Sequence, residues 1–488
     1  MQKLPVKLYT AAQAREFDRI AIDNFGIPGF ELMSRAGIAV FQLLQQRWPK
    51  ATSIAIFCGA GNNAGDGYIV AKLALERGLT VHVLSVVDTA LLKGDAQSAY
   101  QAFIDAQGQV ESYQTGQAVN VDVIVDALLG TGLDRVVSGV YGNAINTIND
   151  SGAAVLAVDI PSGLHADTGV VMGSSVRADA TISFIALKQG LFTGQAADYC
   201  GEISYASLAV PEQVFADVTP SSTLITAQPW PRRQRCSHKG SYGHVLVIGG
   251  EQGFSGAVRL AGEGALRVGA GLVTIATRAA HAGFINLTRP ELMVHGIEHA
   301  EQLTTLLAKV DVIVIGPGLG QSDWAKSLFN TVLTADLPMV VDADALNLLA
   351  MTPLRKQHWV LTPHPGEAAR LMACSNLTIR QDRFKAVSTI QREYGGIAVL
   401  KGNGTVIASA HEIAIARTGN PGMASGGMGD VLSGVIAGLV AQGWSLLDAA
   451  QQGVYVHGLA ADSAAAQQGE RGLLAGDLMA HLRQLVNQ

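Results

Sequence analysis

The apolar residues of this chain fall into short, nearly continuous runs separated by stretches of helical periodicity. In the first half SIAIFC, TVHVLSVV, VDVIVDALL and AAVLAVDI are such runs, and YIVAKLALERG and GDAQSAYQAFIDAQG repeat apolar positions at helical spacing between them. A run that is apolar at every position predicts a strand buried on both faces, as in a parallel sheet covered by helices. The pattern restarts near residue 243 with GHVLVIGG, GLVTIAT, VDVIVIGPG, PMVVDAD, HWVLTP and GIAVLKG, spaced by helical segments such as SGAVRLAGEGALRVG. Between the two series, PSSTLITAQPWPRRQRCSHKG carries prolines and polar residues without a period. Two α/β domains are therefore expected, residues 1–222 and 236–488, joined by a linker over 223–235.

Composition narrows the function classes. The 488 residues carry a net charge of −6 with 15% charged residues and no long basic run, which argues against an extended nucleic-acid surface. The local cluster Arg232, Arg233 and Arg235 is expected to be a solvated part of the linker. The N-terminal stretch MQKLPVKLYTAAQAREFDRIAI has no apolar signal core, and no apolar stretch approaches the roughly 20 residues that span a bilayer. A cytoplasmic protein with no membrane partner is expected, and homo-oligomerisation is compatible with the sequence. Four cysteines, Cys58, Cys200, Cys236 and Cys374, show no CxxC spacing and are expected to be reduced thiols.

In open α/β sheets ligands bind beyond the carboxyl ends of the strands, so chemistry is sought there. In the first half one strand ends in the glycine-rich loop GAGNNAGDG (59–67), another in Asp126 followed by the glycine-rich ALLGTGLDR, and a third in DIPSG (159–163). GAGNNA formally matches the dinucleotide fingerprint G-x-G-x-x-A, with Asp88 as a late ribose partner. Asn62, Asn63 and Asp66 stand where close approach to a diphosphate wants small residues, so that reading leaves the Asn pair unexplained. Reading the glycines as tight turns and Asp126 and Asp159 as caps leaves it unexplained too. Oxygen donors from Asn63, Asp126 and Ser162 suit a hard cation of low charge, which would neutralise phosphate oxygens held by backbone amides.

GNNAGDG, DALLGTGL and DIPSG together resemble the motifs of the NAD(P)H-hydrate epimerase domain over roughly residues 10–215, with Ala64 where that family usually has glycine. The resemblance implies a Rossmann-like three-layer fold that binds the hydrated nicotinamide cofactor. It assigns substrate contacts to Asn62, Asn63, Ala64, Gly65 and Asp66, to Gly130, Thr131, Gly132, Leu133, Asp134, Arg135 and Val136, and to Tyr141 and Asp159. It further implies a potassium ion on Asn63, Asp126 and Ser162, with Asp159 as the acid/base at the hydrated ring carbon. The same fold also serves as a noncatalytic RNA-associated module, so fold alone leaves activity open.

In the second half GNPGMASGGMGD (419–430) runs into VLSGVIAGLVAQG, which reads as a helix, so its glycines lie at a helix N-terminus where free N–H groups attract anions. No Walker loop is present: the one Lys followed by Ser or Thr, Lys326-Ser327, lacks the preceding glycine. Gly426, Gly427 and Gly429 then suggest an anion hole for a transferring phosphoryl group, and Asp430 a base for the attacking hydroxyl. LKGNGT (400–405) offers glycine backbone and Lys401 to a nucleotide, although a hairpin turn with a solvated lysine fits those residues equally. GPGLG (316–320), DADAL (342–346) and TPHPGE (362–367) also sit at strand ends, and His364, between two prolines, is expected to touch substrate.

These motifs, in this order, with HKGSYGHVLVIGG before them, are similar to the ADP- or ATP-dependent NAD(P)H-hydrate dehydratases of the ribokinase-like superfamily over residues 236–485. Met428 stands where many superfamily members carry Ala or Thr, and its backbone N–H remains available. The resemblance implies a ribokinase-like α/β fold holding the hydrated cofactor at Ala257, Gly318, Gly320, His364 and Asp430. It implies magnesium with ADP or ATP at Lys401, Gly402, Asn403, Gly404, Thr405 and Gly429, with Asp430 as base. Together the halves suggest repair of NADH hydrate and NADPH hydrate by epimerisation and phosphorylation-driven dehydration. The competing readings are a small-metabolite kinase with a regulatory first half, and a first half that only binds nucleotide or RNA.

Overall fold

The computed structural model describes residues 4–487; the first three residues of the polar N-terminal stretch read above, and residue 488, lie outside the described residues. The chain divides into two compact units, Met1–Thr223 and Leu224–Gln488. No helix among the described residues is long and apolar enough to cross a membrane.

In the first unit seven parallel strands form one sheet in the order Val110–Ser112, Thr80–Ser85, Ser53–Cys58, Val123–Ala127, Ala154–Val158, Ala180–Phe184, Glu202–Ala206. From Ser53–Cys58 the chain builds outward to one edge, then returns to the other side of that strand at Val123–Ala127. The strand order therefore reverses between these two strands, and their carboxyl ends flank a crevice. Their side chains are almost wholly buried, which explains their unbroken apolar pattern. Helix Ala11–Asp23 opens with a capping box between Thr10 and Gln13, as Ser/Thr followed three residues later by Glu/Gln favours.

One local expectation is corrected. GAGNNAGDG is not a loop throughout: Asn62–Glu76 is helical, so only Gly59–Gly61 is loop. The glycines inside the helix serve close packing. A Cβ on Gly65 would lie 2.4 Å from Met33 Sδ, and one on Gly67 2.8 Å from Ala127 Cβ.

The second unit repeats the plan. Its sheet runs Met293–Gly296, Leu272–Thr277, His244–Ile248, Val312–Ile315, Met339–Val341, Trp359–Leu361, Ile397–Leu400 in parallel, followed by antiparallel Val406–Ala408 and Ile413–Ile415. The order reverses between His244–Ile248 and Val312–Ile315. Arg232, Arg233 and Arg235 are exposed, as expected, and Arg233 also stacks 3.8 Å over the Tyr242 ring and bonds the Gly269 carbonyl.

Helix Met428–Ala441 crosses helix Ser255–Val268 with backbones nearly touching. A Cβ on Gly434 would lie 1.8 Å from Ala261 O, and one on Gly438 2.8 Å from Ala265 O. The glycines of VLSGVIAGL thus let two helices, each opening beside the crevice, lock together. Gly434→Ala is expected to destabilise this unit by about 1–3 kcal/mol or more through overpacking, read as a lower urea midpoint at unchanged slope. An unchanged midpoint would show that the helices part freely.

Candidate active sites

The crevice of the first unit opens into a cavity of about 520 Å³. Gly59 lets its rim close up, since a Cβ there would fall 2.0 Å from Leu128 O. Of the residues expected to bind substrate, Asn62, Asn63, Asp66, Gly130, Thr131, Gly132, Leu133, Asp134, Arg135, Tyr141 and Asp159 line the cavity. Ala64 and Gly65 are buried in helix packing, and Val136 is 67% exposed; none of the three is among the lining residues.

Asn63, which lines the cavity, is linked through Leu129 to Ser162 and Asp126, and all three are buried. Ser162 Oγ donates to Asp126 Oδ1 at 2.6 Å, and Ser162 N to Asp126 Oδ2 at 2.8 Å. Asn63 Nδ2 donates to Leu129 O at 3.2 Å, and Leu129 N donates to Ser162 Oγ at 2.8 Å. Burial pushes the Asp126 carboxyl up to about 6, with the Ser162 hydrogen bonds working the other way.

Asp159 ends its strand at φ 64°, a left-handed conformation uncommon for a residue with a Cβ and a mark of functional sites. Its Oδ1 accepts from Phe184 N at 3.1 Å, from Ser183 Oγ at 3.2 Å and from Lys188 Nζ. Lys188 is buried, and strand pairing opposite Tyr9 fixes its backbone. Asp66 faces the same group: burial first, then the Asp159 and Asp18 charges, hold its carboxyl well above the usual range. Lys188 and Asp18 belong to none of the quoted motifs, and the only signal of Lys188 was a lysine inside the apolar run ISFIALKQG.

In the second unit Gly427, at φ 91°, caps helix Met428–Ala441, so its first free N–H groups and Asp430 open on the crevice. Lys401 Nζ stands there too, 3.2 Å from where a Gly429 Cβ would be. It bonds Asp342 Oδ1 at 2.7 Å, while Ser433 Oγ holds Asp342 Oδ2 at 2.7 Å. Burial disfavours the Lys401 ammonium, but Asp342, Glu367 and Asp430 together raise its pKa above the ordinary lysine value. Lys401 therefore joins this carboxylate cluster, which the hairpin-turn reading of LKGNGT did not foresee.

Burial, with Asp342 next, pushes Asp430 up to about 7 against the pull of Lys401. Glu367 also rises to about 7, chiefly by burial, although Lys401 opposes it. His364 has a structural duty besides any substrate contact: its Nδ1 accepts from Gly366 N at 2.9 Å while Glu367 Oε2 accepts from His364 N at 2.7 Å, a capping box. Arg383, buried beneath the loop, donates to the carbonyls of Leu400, Lys401 and Gly404 and so fixes the backbone of 401–405.

Ala257 lies in the first turn of helix Ser255–Val268, 3.2 Å from where a Gly318 Cβ would be, and the loop carrying Gly318 and Gly320 is tied down at the strand reversal. Glu251 N donates to Gly318 O at 2.7 Å and Gly320 N to Asp344 Oδ2 at 2.8 Å. Arg278 grips Glu251 through two bonds of 2.6 and 2.9 Å, lies 4.2 Å over the Trp324 ring, and holds the Glu251 carboxyl down at about 2. The chemical roles of Asp342, Glu367 and Ser433 were not legible beforehand, although the first two lie inside quoted motifs.

Comparison with known proteins fits both crevices. The family described as NAD(P)H-hydrate dehydratase matches residues 245–484, and that described as YjeF-related protein N-terminus matches 29–190. The bifunctional NAD(P)H-hydrate repair enzyme of Coxiella burnetii is 50% identical over 98% of this chain and 99% of its own length. The chain belongs to the bifunctional NAD(P)H-hydrate repair enzymes. The Escherichia coli member is 45% identical over 100% of this chain and 96% of its own. An ADP/ATP-dependent NAD(P)H-hydrate dehydratase from Bacillus subtilis, crystallised with ATP and magnesium, is 31% identical over 53% of this chain and 94% of its own, with a TM-score of 0.48. The repair enzymes combine an epimerase and a dehydratase, an isomerase and a lyase, and the two crevices lie one in each matched half.

The Asp430 shift has a measurable consequence. Its folded pKa of about 7 lies above the roughly 3.9 of an unfolded aspartate, so its ionisation costs stability progressively from about pH 4 to pH 7. Asp430→Asn is therefore expected to melt higher than the parent at pH 8, with the gap closing toward pH 4. A variant that melts lower at pH 8 would contradict this placement of the charge.

Proposed function

We propose that the two crevices divide one repair between them. The first domain, assigned to residues 1–222, interconverts the R and S epimers of NADH hydrate and NADPH hydrate. The second, 236–488 after a connecting segment 223–235, dehydrates the S epimer to NADH or NADPH using ADP or ATP. The observation that most supports this is a lysine paired with a carboxylate beyond the strand ends of each sheet, the buried Lys188 with Asp159 and the partly buried Lys401 with Asp342. The substrates are soluble cofactors, so we assign the repair to the cytoplasm.

In the second site Asp430 takes the proton of the ring hydroxyl as its oxygen attacks the terminal phosphoryl group of the nucleotide. The amides of Gly426, Gly427 and Gly429 face the charge that builds on that group, and Lys401 adds a positive charge beside Gly429. The phosphate ester then leaves from the hydrated carbon while the adjacent ring carbon loses a proton, which restores the ring double bond. Residues 401–405 hold the nucleotide. Ala257, Gly318, Gly320 and His364 hold the hydrated cofactor. Carboxylates outnumber Lys401 here, as the raised Asp430 and Glu367 record, and this suits magnesium brought in by the nucleotide phosphates.

In the first site Asn62, Asn63, Asp66, residues 130–135 and Tyr141 embrace the substrate, and Asp159 belongs to the acid/base machinery that exchanges configuration at the hydrated carbon. Asn63, Asp126 and Ser162 fit a potassium ion. They offer hard oxygens, the Asn63 amide presents Oδ1 when turned over, and Asp126 makes no salt bridge among the described residues. Potassium would supply the positive charge that Asp126 lacks.

Both epimers of NADH hydrate, given ADP and magnesium, should be recovered completely, read as the return of reduced-nicotinamide absorbance. Asp430→Asn should lower dehydration by roughly 10²–10⁴-fold and leave epimer exchange intact, and Asp159→Ala should do the reverse. A stable phosphorylated product would restore the small-metabolite kinase reading. The raised Asp126, protonated below about pH 6, makes potassium binding pH-dependent. Potassium should raise the melting temperature over tetramethylammonium more at pH 7.5 than at pH 5, and equal effects would remove Asp126 from the site.

A further inference from the structure

One end of the first cavity holds the Lys188 ammonium among three aspartates. Lys188 Nζ bonds Asp159 Oδ1, with Asp66 and Asp18 near enough for their charges to be felt. Asp159 Oδ1 accepts from Lys188, Ser183 and Phe184, which ties that oxygen to the lysine. Lys188 is the member of the pair with protons to give. Two of them have good acceptors, Asp159 Oδ1 and Ser183 Oγ at 3.1 Å, while the third makes a longer 3.3 Å contact with Phe184 O. That third proton is the one most easily surrendered to a ligand, and Phe184, Lys188 and Asp159 all line the cavity.

We infer that Lys188 is the proton donor and acceptor of epimerisation, and that inversion proceeds by reversible loss of water through a cationic ring. The inference rests on the reading of this cavity as the epimerase site, and refines the part of Asp159 there. The ring hydroxyl leaves as water, its C–O bond breaking with the electron pair going to oxygen and a proton coming from Lys188. The ring nitrogen lone pair closes a double bond to that carbon, giving a cation. A water molecule then attacks the opposite face, its oxygen supplying the new C–O bond, while the double-bond electrons return to nitrogen and the surplus proton returns to Lys188. Atoms and charge balance, and no oxidant or nucleotide is consumed.

The surrounding charge selects this route over ring opening. Once Lys188 has given up its proton, Asp159 and Asp18 confront the ring with no neighbouring ammonium, a setting that favours a positive intermediate. Ring opening passes through a neutral aldehyde and draws no comparable benefit from these carboxylates.

The test begins with the unmodified full chain in ¹⁸O-water, following the hydrate epimers by chiral separation and mass spectrometry against the enzyme-free rate. One solvent oxygen per inversion is expected, and inversion with the original oxygen retained would overturn the water-loss route. Lys188→Met and Lys188→Arg should each slow epimer exchange by roughly 10²–10⁴-fold, with dehydration by the same chain unchanged. Arginine keeps the charge and the bond to Asp159 but does not release its proton. Exchange within threefold of the parent in either variant would overturn the role of Lys188. If Lys188→Met fails to fold because Asp159 is left unpaired, Lys188→Met combined with Asp159→Asn removes that charge and should fold yet remain inactive; activity in it overturns the proposal. No enzyme-dependent exchange in the parent would instead sink the assignment of the cavity itself.

Discussion

A parallel sheet whose strand order reverses must leave a gap where neighbouring strands send their chains in opposite directions, and both units are organised around that gap. In the first it opens between Ser53–Cys58 and Val123–Ala127, in the second between His244–Ile248 and Val312–Ile315. The loops there approach so closely that glycine is required: Gly59 against Leu128 O in one unit, and Gly249, at φ 159° with a Cβ position 2.1 Å from Pro317 O, in the other. The glycines therefore shape the mouths of the crevices, and the reacting groups are carried by neighbouring loops, strand ends and helix openings.

At those positions charge is brought out of water. A buried carboxylate is tolerable when a cation or several hydrogen bonds face it, and strongly disfavoured otherwise. Asp342 meets the first condition through Lys401 and Ser433, and with its charge thus satisfied it acts on its neighbours. Burial, reinforced by that charge, raises Asp430 and Glu367, and a base poised near neutrality is what proton abstraction at physiological pH calls for. Asp126 is satisfied by Ser162 hydrogen bonds without a cation, which leaves it raised as well.

The sequence made the strand cores, the strand-end motifs and the Gly-rich helix opening legible, because full burial leaves an unbroken apolar signature and a phosphate site needs free N–H groups. It placed Asp430 and Asp159 at crevices because acids following apolar strands or glycines stand out. It did not make Lys188, Asp18 or Ser433 legible: each matters through a partner distant in sequence, 29 residues on for Asp159 with Lys188 and 91 for Ser433 with Asp342. GNNAGDG misled locally because glycines that permit helix packing look, in one dimension, like glycines that permit a loop. His364 shows a related ambiguity, since the residue expected to meet substrate also caps the helix that carries Glu367.

The contrast between the two sites stems from what each reaction must overcome. Returning a hydrated ring to its unsaturated form for good requires hydroxide, a poor leaving group, to depart irreversibly, and phosphorylation supplies both the leaving group and the driving force. That demands an anion hole, a base near neutrality and a cation, the parts we propose for Gly429, Asp430 and Lys401. Exchanging one hydrated epimer for the other ends at a compound of nearly the same energy, so no nucleotide is needed. A proton source and a stabilised intermediate suffice, the parts we infer for the buried Lys188 and for the Asp159 paired with it. A rigid base and anion hole act on one configuration only, so the dehydratase site leaves the other epimer behind. An epimerase that consumes nothing is then the least demanding partner that can return the remainder.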